Sequence, residues 1–155
     1  MLWPLRARIG YQVARWLLRF PKVVAHPRAW QWMQGQYARM AALGDVQAQC
    51  FYGHLLLHRG HGFGAREEGI RLLRQAARAG DAKSAYQLGV LSLDGDARQA
   101  PDAAEAARWW GLAADAGHPL AARKLADLYR DGGPGLLPDA AASERAARRA
   151  AELGL

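Results

Sequence analysis

The side chains best suited to chemistry in this chain of 155 residues are Cys50, His54, His58 and His61. Thiolate and imidazole are the ligands that zinc and copper take, and steps of 4, 4 and 3 residues place all four along one face of a helix and its exit. Geometry opposes a shared ion, because residues eight apart on a straight helix are separated by about 12 Å along its axis. Position opposes it too. One period further on, Cys50 corresponds to Tyr86 and then Arg123, and His54 to Val90 and then Asp127. Metal and cofactor are therefore both expected to be none, with Cys50 and His54 at variable, exposed positions. No catalytic residue stands out either. The chain has no glycine-rich phosphate loop after a strand, no GxSxG elbow and no HExxH. Its Asp-Gly-Asp and Gly-Gly-Pro-Gly turns carry the residues that tight turns need, and neither supplies a calcium-ligand series ending in a bidentate Glu. The expectation is that the protein is not an enzyme.

The elements that would position a binding surface come from an internal repeat. Gly44-Asp45, Gly80-Asp81 and Gly117-His118 open three copies and Gly154 closes the last, at spacings of 36, 37 and 37 residues. A fixed period of this length indicates a repeat array. The middle copy (80–116) is the most complete. Small and apolar positions Ala82, Ala85, Leu88, Gly89 and Leu91 predict a helix A over 81–93. A turn, DGDARQAP, follows. A helix B starts at Asp102, where Asp-Ala-Ala-Glu105 has the form of a capping box, and Gly117 ends it as the left-handed residue. The third copy (117–154) predicts helices over 118–130 and 139–153 around the turn DGGPGLLP. The first (44–79) predicts 45–58 and 65–79 around RGHGFG. Ala76-Ala77, Ala113-Ala114 and Ala150-Ala151 match before the closing glycines, where helices must approach closely.

These repeats resemble the Sel-1-like repeat, a short relative of the tetratricopeptide repeat. The resemblance is carried by AYQLGVLSLDG and PDAAEAARWWGLAADAG in the second copy. The third matches at Ala122, Leu125, Leu128, Tyr129, Gly132, Asp139, Ala146, Ala150, Ala151 and Gly154, with Ala126 in place of the helix-A glycine and no tryptophan pair. The first is looser, keeping Ala48, Tyr52, Gly53, Leu55, Ala76, Ala77 and Gly80. The resemblance covers residues 44–154. It implies an all-α fold, a short right-handed α/α solenoid of helix–loop–helix repeats, acting as a protein-interaction scaffold. Members are commonly adaptors in bacterial and eukaryotic signalling or assembly complexes. A branch linked to β-lactam binding carries a cysteine pair in each repeat, and with one cysteine this chain does not inherit that activity.

Residues 1–43 stand apart. The net charge of +7 lies wholly here: residues 1–44 hold seven basic side chains and no acid, whereas 45–155 hold 14 of each sign. Two helices are expected, split by Pro21 and Pro27. On the first, 4–20, the residues Leu2, Leu5, Ile9, Val13, Trp16, Leu17 and Phe20 fall on one face and Arg8, Gln12, Arg15 and Arg19 on another. Arginines interrupt every apolar run too soon for a transmembrane helix, and Arg15 and Arg19 spoil a secretory signal despite Val23-Val24-Ala25. The apolar face is expected to pack on the first repeat as a cap. The alternative is a peripheral membrane helix, with Arg8, Arg15, Arg19 and Trp16 as the contacts. The second helix carries a stripe of Trp30, Met33, Tyr37, Met40 and Leu43 and reads as helix B of a degenerate leading repeat. Trp3, Trp16, Trp30 and Trp32 interleaved with arginine also suit nucleic-acid bases, although core packing already accounts for Trp16 and Trp30.

In stacked helical pairs the variable positions of helix A form a concave strip. Here those positions are Cys50, Tyr86 and Arg123, then His54, Val90 and Asp127, a mixture suited to a protein or peptide partner. Tyr86 and Val90 buried against a neighbouring helix B is the competing reading, and Trp109-Trp110 is expected in the repeat core. A membrane surface is the second candidate partner and nucleic acid the weakest. A single cysteine allows no intramolecular disulfide, and the cytoplasm is the expected compartment, with the inner-membrane surface as the alternative.

Overall fold

The computed structural model describes residues 3–62 and 64–155, with Trp3 and Pro4 described in backbone only. Leu2 and Phe63, named above in the apolar face and the first turn, lie outside the described residues, as does the side chain of Trp3. The fold is all-α. Its helices are α1 (Trp3–Leu17), α2 (Pro21–Val24), α3 (Pro27–Ala42), α4 (Val46–Arg59), α5 (Ala65–Arg78), α6 (Ala82–Asp94), α7 (Ala103–Asp115), α8 (Pro119–Asp131) and α9 (Ala140–Glu152). The chain divides into two compact units between Leu72 and Leu73, inside α5.

The repeat is written in how its helices stop. Helices α3, α5, α7 and α9 each end in a glycine with φ between 89° and 97°: Gly44, Gly80, Gly117 and Gly154. At each, the glycine N–H and the next residue's N–H turn back onto carbonyls of the last turn, as in Gly80 N to Ala77 O at 3.0 Å and Asp81 N to Ala76 O at 3.0 Å. This arrangement satisfies otherwise orphaned carbonyls and needs a left-handed residue that only glycine adopts without strain. The next residue then caps the following helix. Asp45, Asp81 and His118 each accept a hydrogen bond from the backbone N–H three residues on. One glycine therefore ends a B helix and sets the start of the next A helix.

Within a repeat the A–B loop is pinned the same way twice. Asp102 N donates to Ser92 O at 2.8 Å and Asp139 N to Tyr129 O at 2.7 Å. Only half of the expected capping box therefore forms. Asp102 Oδ1 accepts from Glu105 N at 2.8 Å, but the Asp102 N–H is already spent on Ser92, so Glu105 accepts instead from Gln99 Nε2 and Trp109 Nε1.

In the first unit, Ala7, Tyr11 and Ala14 of α1 bury against Met33, Tyr37 and Met40 of α3. Tyr37 meets Tyr11 edge-on at 5.1 Å and Phe51 of α4 at 4.2 Å. α1 approaches α3 closely because Gly10 has no side chain; a Cβ there would collide with the Gln36 carboxamide. The second unit packs on alanine, with Trp109 and Trp110 as its bulk. Trp110 is 2% exposed and crosses α6 at Gly89, where any Cβ would collide with the indole. Of the matched alanines, Ala151 alone is exposed.

One position works against this packing. Ser84 is fully buried in α6 and its Oγ has no hydrogen-bond partner. The matching residues Ala48 and Ala121 are fully buried too. Ser84→Ala is therefore expected to stabilise the protein by about 1 kcal/mol, since it removes a desolvated hydroxyl and leaves no cavity. A rise in the urea midpoint at constant slope would show it, and a fall would mean that the hydroxyl is paired.

Candidate functional site

The proposed strip divides between the two units. In the first, Cys50 and His54 of α4 are half-buried rather than exposed, and His54 stacks on His58 at 6.2 Å with the rings 5° from parallel. Among the described residues no three His, Cys, Asp or Glu side chains converge as a metal site would require.

In the second unit, Tyr86 and Val90 of α6 are half-buried, Arg123 of α8 is exposed and Asp127 half-buried. Tyr86 stacks on His118 with ring centres 4.5 Å apart and planes 9° from parallel. His118 is a neutral N-cap. Its Nδ1 accepts from Ala121 N at 3.2 Å, and burial, together with the nearby Lys83 ammonium, holds its pKa below the ordinary value. Beneath Tyr86, its carbonyl accepts from Trp110 Nε1 at 3.1 Å. Asp127 lines a hollow of about 210 Å³ with Leu93, Trp110, Lys124, Leu128 and Asp131. Lys124 Nζ sits 5.7 Å from the Trp110 ring centre, a cation–π contact, and Asp127 Oδ1 lies 2.9 Å from Arg130 Nη1.

The second unit thus presents a stacked aromatic and an aliphatic group on α6, both signs of charge on α8, and a hollow lined in part by the Trp110 indole. Lys124 and His118 were not among the residues singled out from sequence. The signal for His118 was present, since it occupies the capping position that holds aspartate in the other two repeats.

The N-terminal arginines Arg8, Arg15 and Arg19 are exposed, with the Arg15 guanidinium 5.7 Å over the Tyr11 ring. Trp16 is more than half exposed, so core packing explains Trp30, which is half-buried against the first-unit core, and not Trp16. The large apolar face expected to pack as a cap is not the buried one, because α1 packs through Ala7, Tyr11 and Ala14. Among the described residues no helix is long and apolar enough to cross a membrane.

No protein-family model matches the chain, and no curated protein matches it. Solved structures do. A Sel1 repeat protein from Oxalobacter formigenes is 30% identical, with a TM-score of 0.64 over 77% of this chain and 88% of that one. A protective antigen of uropathogenic Escherichia coli strains, which displays an SLR fold, is 23% identical, with a TM-score of 0.66 over 79% of this chain. This chain spans only 26% of that antigen's length, and the likeness there is one of fold.

Proposed function

Because the chain belongs to the Sel1-like repeat family, we propose that it is a non-enzymatic adaptor of the cytoplasm that binds a partner protein or peptide through the helix-A face of its repeats. Helical repeats of this kind commonly serve as interaction scaffolds, and repeat surfaces bind where variable positions line up. The observation that carries the reading is the second-unit face. Tyr86 and Val90 stand on α6 and Arg123 and Asp127 on α8; Asp127 and Trp110 help line a hollow. An aromatic with flanking charge of both signs is what a peptide-binding centre uses. In the first unit, Cys50 and His54 hold the matching register on α4.

Affinity capture from native cells with mass spectrometry tests this. The two baits are the full chain and the full chain carrying Arg123→Glu and Asp127→Lys, both checked for helical content by circular dichroism. One protein captured by the first bait and lost from the second is the expected result. Capture of the same protein equally by both would move the binding surface elsewhere.

A further inference from the structure

Helix α1 has three distinct sectors. Ala7, Tyr11 and Ala14 face the core and are buried. On the opposite side, Leu5, Ile9, Val13 and Trp16, with Phe20 just past the helix end, are between 42% and 58% exposed. At 100° per residue, Arg8, Arg15 and Arg19 border one edge of this stripe and Arg6 the other. The usual order is inverted: small residues and a tyrosine go inward, and the large aliphatic and aromatic groups stay in water. The contact with α3 is made by Ala7, Tyr11 and Ala14, and at Gly10 the Gln36 carboxamide fills the place a Cβ would take.

The stripe runs about 22 Å along the helix. Trp16 and Phe20 pack together at one end, ring centres 4.7 Å apart. Midway, Ile9 and Val13 open into a groove of about 590 Å³ shared with Trp32 of α3, edged by Arg6 and Arg39. An exposed apolar stripe of this extent marks an interaction site. Its occupant must also be anionic, because residues 1–44 contain seven basic side chains and no acid.

We propose that the outer face of α1 docks on an anionic lipid surface, with Leu5, Ile9, Val13, Trp16 and Phe20 entering the boundary between headgroups and acyl chains. The flanking arginines then meet lipid phosphates on both sides of the stripe. A single acidic partner helix in the α1–α3 groove would cover Ile9, Val13 and Trp32 but leave Trp16 and Phe20 bare. A planar surface meets the whole stripe at once. This docking uses residues distinct from those of the repeat face.

Co-sedimentation of the full chain with vesicles decides it. One set is phosphatidylcholine with phosphatidylglycerol and the other phosphatidylcholine alone. The wild-type chain is expected to pellet with the anionic vesicles and to stay in solution with the neutral ones. Ile9→Glu with Val13→Glu, both at exposed positions, is expected to abolish pelleting, and Arg8→Gln with Arg19→Gln to weaken it roughly thirtyfold. If the glutamate variant loses its helical circular dichroism, Trp16→Gln on the same stripe takes its place and is expected to weaken binding. Three results overturn the proposal. The wild type could ignore anionic vesicles at low salt, or the stripe variants could pellet as well as wild type, which would leave generic charge attraction. Alternatively, the stripe substitutions could release a captured protein while vesicles stay unbound, which would make the stripe a protein surface.

Discussion

Trp110→Ala is expected to destabilise the second unit by about 3–5 kcal/mol, the cost of removing a large buried aromatic from the core. The indole is 2% exposed, and its Nε1 donates to Tyr86 O at 3.1 Å. It also fills the space beside Gly89, where a Cβ would collide with the five-membered ring. Gly89→Ala alone should therefore cost about 1–3 kcal/mol through overpacking, even though alanine favours a helix over glycine by about 1 kcal/mol. In the Trp110→Ala background the collision is gone, and the same substitution should become stabilising by about 1 kcal/mol. The third repeat carries this combination already, with Ala126 and Ala147 at the two positions. Urea unfolding of the four proteins in the cycle measures the coupling. Additive effects, within the usual few tenths of a kcal/mol, would show that the two residues do not meet.

Asp45→Ala should cost the first unit about 2–4 kcal/mol, more than a cap alone. Asp45 Oδ1 accepts from Ala48 N at 2.7 Å, capping α4, and from the Tyr11 hydroxyl of α1 at 3.2 Å. Losing the cap accounts for about 1 kcal/mol, and leaving the buried phenol without an acceptor for about 1–3. In a Tyr11→Phe background there is no phenol to orphan, and Asp45→Ala should cost only the cap. Alkaline titration checks the same pair. Burial first, then the Asp45 carboxylate, raises the Tyr11 pKa above its ordinary 10.0. The neutral phenol is thus favoured more in the folded than in the unfolded chain. The resulting stability is fully present below pH 10 and is lost as pH rises past it, a loss that Tyr11→Phe should remove. Equal costs for Asp45→Ala in both backgrounds would contradict the bridge.

Much of the fold was legible because capping and periodicity agree. Gly44, Gly80, Gly117 and Gly154 end helices at the expected places, and Asp45, Asp81, His118, Asp102 and Asp139 start them. The stripe of Met33, Tyr37 and Met40 is buried as its spacing predicts, while Leu43 at its end is exposed. The short α2 was not expected, since residues 1–43 read as only two helices, split by Pro21 and Pro27; Pro21, already set for helical φ, starts one turn. The inner face of α1 was misjudged for a different reason. Hydrophobic periodicity weighs a side chain by its size, whereas close helix crossing selects small residues, and Ala7, Gly10 and Ala14 scarcely register beside Leu5, Ile9 and Trp16. On the second-unit face, Tyr86, Val90, Arg123 and Asp127 could be found from repeat register. The stacking of Tyr86 on His118 and the part Trp110 takes in lining the hollow could not, because both depend on how neighbouring helices cross.

The most direct test of the adaptor reading is amide hydrogen exchange of the full chain with and without its captured partner. Binding through the helix-A face should slow exchange in α6 and α8, around Tyr86, Val90, Arg123 and Asp127, and leave α7 and α9 unchanged. Protection confined to α1 or to the B helices would contradict it and place the partner on a different surface of the protein.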